Sequence, residues 1–138
     1  SVSTKTETSS KSMEISDMRN KFKKFIRILK IELEESEQDL HFLEDLHKQR
    51  EEAGEITQYV FRENMNLLKT EISSVREILY SVDDMIEDQD AYDSFTEMVD
   101  ALKRKVKDRV DSSTNAQAVY DIVSRKIDKV LKYVQDES

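Results

Sequence analysis

Glu44 and His47 stand three residues apart in the run Glu44-Asp45-Leu46-His47. On a helix that spacing puts a carboxylate and an imidazole on one face, as in the four-helix bundles that hold a di-iron or di-manganese centre. Such a site also needs a second Glu-x-x-His and two further inward glutamates. The only other histidine, His41, lies on the same stretch, so one chain cannot complete the set. Two copies could bring two motifs together, but the facing helix offers only apolar inward positions there. His47 reads as a polar residue in a helical seam near a helix end.

The other chemical candidates are weaker. Asp83, Asp84, Glu87, Asp88, Asp90 and Asp93 could attract Ca²⁺, but they lack the glycine and alternating ligand spacing of an EF-hand loop. They read as a capped, solvated helix junction. The absence of cysteine excludes disulfides, Cys-ligated zinc and thiol catalysis. The serines fall mostly in the first 12 residues and in turns, and no glycine-rich loop could cradle a phosphate. The chain therefore reads as not an enzyme, with no catalytic residue, cofactor or metal assigned.

Long helices must position whatever surface does the work. The 138 residues suit one domain, with no proline, one glycine and 38 % charged residues. Residues 1–12, SVSTKTETSSKS, read as a flexible Ser/Thr-rich leader. The chain opens on Ser1 rather than Met, as a piece of a longer protein or a processed chain would. A helix over 13–53 carries Phe22, Ile26, Leu29, Leu33, Ser36, Leu40, Leu43 and His47 at alternating spacings of four and three, a heptad seam. Met18, Phe25, Ile28 and Ile31 widen its apolar face. Gly54 marks the turn; one continuous helix through it is the alternative. A helix over 55–87 carries Phe61, Met65, Leu68, Ile72, Val75, Leu79, Val82 and Ile86 at the same spacing. Asp88 or Asp90 would cap a helix over 90–111 bearing Tyr92, Phe95, Val99, Leu102, Val106 and Val110. Ser113 or Thr114 would cap one over 114–136 bearing Ala116, Tyr120, Val123, Ile127, Val130 and Val134. The predicted fold is all-α: an antiparallel four-helix, coiled-coil-like bundle, with a long hairpin of helices 1 and 2 and a shorter hairpin of helices 3 and 4 packed on it.

Charge comes in blocks: +4 over 13–31, −8 over 32–55, −8 over 83–100 and +3 over 101–111. With a turn at Gly54, residues of the first two helices should meet where their numbers add to about 107. Arg19, Lys21, Lys23, Lys24, Arg27 and Lys30 then face Glu77, Asp83, Asp84, Glu87 and Asp88. In the second hairpin the total is about 225, and Arg125, Lys126, Lys129 and Lys132 face Asp93, Glu97 and Asp100.

The helices differ in length, and that directs attention to the far end. The third should cover the second only to about residue 66, leaving a two-helix arm that projects about 15–18 Å. The arm carries more apolar side chains than two helices can bury, and such a patch marks an interface. Phe42, Leu46, Tyr59, Phe61 and Met65 are the expected partner-binding residues. A bend of the second helix near Asn64–Asn66, or a helix longer than read here, would hide them instead.

The resulting reading is a protein–protein interaction or assembly module of a larger protein or complex, intracellular and cytoplasmic, with a protein partner or a second copy as ligand. The alternative is a membrane-proximal regulatory or sensory bundle touching anionic lipid through the basic amphipathic stretch Arg19, Lys23, Lys24, Arg27 and Lys30. Nucleic-acid binding through Lys103-Arg104-Lys105-Val106-Lys107-Asp108-Arg109 is disfavoured by the net charge of −8 and the lack of interleaved aromatics. No motif is specific to one family.

Overall fold

No proline or glycine interrupts the chain before Gly54, and the first helix, α1, runs over Val2–Glu52. The structure is a computed structural model that describes residues 2–84 and 92–136, with side chains from residue 16 onward. The helix thus extends back through residues 2–12, where a leader was expected. Ser and Thr cost a helix less than about 0.7 kcal/mol each relative to Ala, and none of them breaks it.

Gly54 ends α1 with φ +75°, in the left-handed region open to glycine. Its N–H donates to the Glu51 carbonyl at 3.0 Å, and the Glu55 N–H donates to the Arg50 carbonyl at 2.9 Å. Together these make a Schellman cap. The two helices are therefore separate. The second, α2, spans Gln58–Ser81. It begins later than Glu55 because Thr57 is the cap: its hydroxyl accepts from the Val60 N–H at 3.2 Å, its carbonyl from the Phe61 N–H at 2.9 Å. Ile56 and Phe61 hold the two positions of a hydrophobic staple around that cap.

α2 stops at Ser81, short of the expected 87; Ile86, Asp88 and Asp90 lie outside the described residues. The third helix, α3, spans Phe95–Val110 and is capped by Ser94, whose hydroxyl accepts from the Glu97 N–H at 3.1 Å. Glu97 reaches back to accept from the Asp93 N–H at 3.0 Å. This is a Ser-x-x-Glu capping arrangement whose return bond falls on Asp93, one residue before the N-cap, and α3 starts from it rather than from the aspartate cap expected upstream. The fourth helix, α4, spans Ala116–Asp136. The residue before it is Asn115, not Ser113 or Thr114, and the Asn115 carbonyl accepts from the Val119 N–H at 3.1 Å.

The four helices pack as an all-α bundle. Phe22, Ile26, Leu29, Leu33 and Leu40 of α1 are buried with Met65, Leu68, Ile72, Val75 and Leu79 of α2, and with the valine and isoleucine seam of α4. Ser36 sits in that seam without an orphaned group, its hydroxyl donating to the Glu32 carbonyl at 3.2 Å. At the base, Phe22 and Phe25 stack at 5.8 Å, and Phe95 of α3 meets both edge-on. Lys30 pairs with Asp83, and Glu37 with Arg76. Both pairs total 113, the order expected of neighbours running in opposite directions. The total exceeds 107 because the connection occupies residues 53–57, rather than Gly54 alone.

Two substitutions test this account. Gly54→Ala should cost about 1 kcal/mol in urea unfolding, through the backbone alone, since nothing lies within 4 Å of an added Cβ. His47→Leu should raise stability by about 1 kcal/mol in the same assay. The His47 Nδ1 atom is buried with no hydrogen-bond partner, and leaving such a group unpaired is costly.

Candidate functional site

Each long helix carries a second row of residues, one position before each seam residue. On α1 the row is Phe25, Ile28, Glu32, Glu35, Asp39, Phe42 and Leu46; on α2 it is Val60, Asn64, Leu67, Glu71, Ser74, Ile78 and Ser81. At 100° per residue both rows point to the same side of the α1–α2 pair. That side receives α3 and α4. Ile28 and Glu32 line a cleft with Lys129, Val130 and Tyr133 of α4. Glu71 accepts from the Asn115 side-chain amide at 2.6 Å, and Ile78 and Ser81 are buried. The residues after each seam position face the other way. Lys30, Glu37, Arg76 and Asp83 are of this kind, and they pair across α1 and α2 there.

The second hairpin is shorter than expected. α3 has 16 residues rather than about 22, and the α3–α4 connection reaches only to the level of Glu71. On α1, the Lys126–Glu32 pair brings Ala116 level with Phe42. Beyond these points the two rows run on uncovered. Phe42 is 68 % exposed, Leu67 45 % and Val60 41 %; Leu46 is half-buried. The arm is present and begins on α1 at the expected Phe42, while on α2 it begins nearer Glu71 than the expected residue 66.

The expected contact residues divide within it. Phe42 and Leu46 lie on the open row. Tyr59 is 73 % exposed, but precedes that row and points away from it. Phe61 is half-buried and packs on the core, because it is the inner half of the staple. Met65 is only 6 % exposed and belongs to the core, so it is withdrawn as a contact residue; its seam position faces α1. Leu67 was missed, although its place one residue before Leu68 was readable.

Glu32 was also missed. Its carboxylate takes Lys126 at 2.9 Å and Lys129 at 3.0 Å, with 14 % of its side chain exposed. These lysines were expected to face Asp93, Glu97 and Asp100; between α3 and α4 it is instead Lys103 that pairs with Asp128. The Lys126 hydrogen bond holds the Glu32 carboxyl below its ordinary value of 4.5, against partial burial, with Lys129 adding to it. A depressed carboxylate contributes stability above its unfolded pKa and loses it as pH falls through the folded one. Glu32→Gln should therefore cost about 1 kcal/mol at neutral pH. Urea titrations should show the gap to wild type closing as pH drops below 4.5.

The remaining candidates have structural partners. Glu44 lies 2.8 Å from His41, not beside a second Glu-x-x-His, and among the described residues no group of three or more His, Cys, Asp or Glu is placed to hold a metal. In the basic stretch, Lys30 is paired with Asp83, Arg19 and Lys24 are also engaged, and Lys23 and Arg27 are exposed. Its apolar side, Phe22, Phe25, Ile26 and Leu29, is core, so that helix could reach lipid only with its polar edge. Lys103 and Arg109 pair with Asp128 and Glu77. An open cleft between Asp84, Lys105, Asp108, Arg109 and Ser112 mixes both signs of charge. Among the described residues no helix is long and apolar enough to cross a membrane.

Compared with protein-family models, curated proteins and solved structures, the chain matches none, and the arm's own geometry carries the functional reading.

Proposed function

We propose that the protein is a non-enzymatic protein–protein interaction or assembly module, and that the arm of α1 and α2 is its contact surface. One observation carries this reading: the face that α1 and α2 turn toward α3 and α4, acidic or polar at Glu32, Glu35, Asp39, Glu71 and Ser74, is apolar again where the shorter hairpin ends, at Phe42, Leu46, Leu67 and Val60, with Asn64 between the last two. Single exposed apolar residues are ordinary on any protein, as Tyr80 and Ile31 are here. A row continuing a packing face is not, because removal from water is what that face is built for.

The test is a pull-down with wild-type chain and with Phe42→Glu/Leu67→Glu. Both positions are exposed, so the double variant should keep wild-type helicity and melting temperature while losing specific partners. Identical partner sets from two equally folded proteins would defeat the proposal.

A further inference from the structure

The row on α1 that leads into the arm is already read once within the fold. α4 buries an apolar stripe through Val123, Ile127 and Val130, and brings Lys126 and Lys129 from its edge to Glu32. It ends level with Phe42, while the groove it fills continues between Leu46 of α1 and Leu67 of α2. From Phe42 to Ala53 that continuation is about 18 Å long, three turns of helix.

The rim of this continuation is acidic. Asp39 and Asp45 flank Phe42 at three residues on either side, and Glu63 and Glu71 flank Leu67 at four. Three of the arm's cations go elsewhere: Lys48, Arg62 and Lys69 each follow a seam position, which puts them on the side where Glu37 and Arg76 pair, while Arg50 takes the next seam position after His47, at the tip. Asp39, Asp45, Glu63 and Glu71 border this face, so a second copy laid on it would set like charge against like.

We infer that the open groove takes an amphipathic helix of another protein, its apolar stripe flanked by lysine or arginine, lying beyond the N-terminus of α4 and continuing its track. This rests on the arm being the contact surface. Binding is of the helix-in-groove kind: leucine-sized side chains enter between Leu46 and Leu67, and the flanking cations meet the acidic rim, as Lys126 and Lys129 meet Glu32.

The experiment titrates the full chain with labelled designed helices of about 16 residues, long enough to span the groove, followed by fluorescence anisotropy. One has a leucine stripe with lysine flanks, one the same stripe with glutamate flanks, and one lysine flanks with a serine stripe. The first should bind at least about tenfold more tightly than either of the others. Asp45→Lys/Glu63→Lys should weaken it about tenfold and favour the glutamate-flanked helix. Leu67→Glu should abolish binding, and Arg62→Ala/Lys69→Ala on the far side should leave it unchanged. Equal binding of both leucine helices, lost on Leu67→Glu, would overturn the charge assignment while leaving the arm as the contact surface. Binding of the lysine-flanked helix that survives Leu67→Glu would overturn the inference. If Phe42→Glu/Leu67→Glu also kept its pull-down partners, the arm reading would fall with it. A dimer in sedimentation equilibrium that Leu67→Glu dissociates would name a second copy as occupant and overturn the inference as well.

Discussion

The apolar side chains at alternating spacings of four and three on α1 and α2 leave water only if the two helices lie along each other. Burying one such side chain stabilises by about 1.5–3 kcal/mol, whereas an exposed ion pair is worth about 0.2–1 kcal/mol. The seam of Leu29, Leu33, Leu40, Leu68, Ile72 and Val75 therefore decides that the helices pair. The charges act on the finer matter of register. Lys30 with Asp83, and Glu37 with Arg76, sit on the one side of the pair that α3 and α4 leave open. The local chemistry of the connection sets where they meet: a glycine cap at Gly54, then a threonine cap at Thr57.

The seams and the turn could be read from sequence because each is a local pattern. Heptad spacing reports which side of a helix is buried, and Gly54 is the one residue free to take a positive φ at no steric cost. The later cap was harder to place. Asp88, Asp90 and Ser94 are all good cap residues, and Ser94 has what the aspartates lack, a glutamate three residues on that reaches back over the cap to the Asp93 N–H. The partners of the α4 lysines were less legible still. Adjacency in the chain suggested the carboxylates of α3, but α4 packs on α1 as well, and Lys126 and Lys129 point across the bundle to Glu32. A helical wheel gives direction relative to one axis. It does not say which of two neighbouring helices lies in that direction.

The candidate surface was only half legible for the same reason. The length mismatch pointed to the arm, and Phe42 is exposed there as expected. Sorting the arm's apolar residues needed a distinction between the seam and the row beside it. Met65 sits in the seam and is consumed by pairing with α1. Leu67, two residues on, precedes a seam position and stays in the open. For this pair exposure follows position relative to the seam, but Leu43, a seam residue of the arm, is itself 39 % exposed, so two helices alone do not close the seam there.

The row on α1 supplies its own control. It is apolar at Phe25 and Ile28, where the bundle is complete. It turns acidic at Glu32, Glu35 and Asp39, and becomes apolar again at Phe42 and Leu46. The α2 row behaves alike: Ile78 at the base, Ser74 and Glu71 in the middle, Leu67 and Val60 toward the tip. A face meant only for water could have stayed charged to its end, since the middle shows that charged residues are tolerated at these helical positions. The return to apolar residues coincides on both helices with the level at which α4 begins, beyond which none of the described helices lies on this face. An apolar surface kept in that place gains most by leaving water against something else, and the two rows have the spacing to receive one more helix.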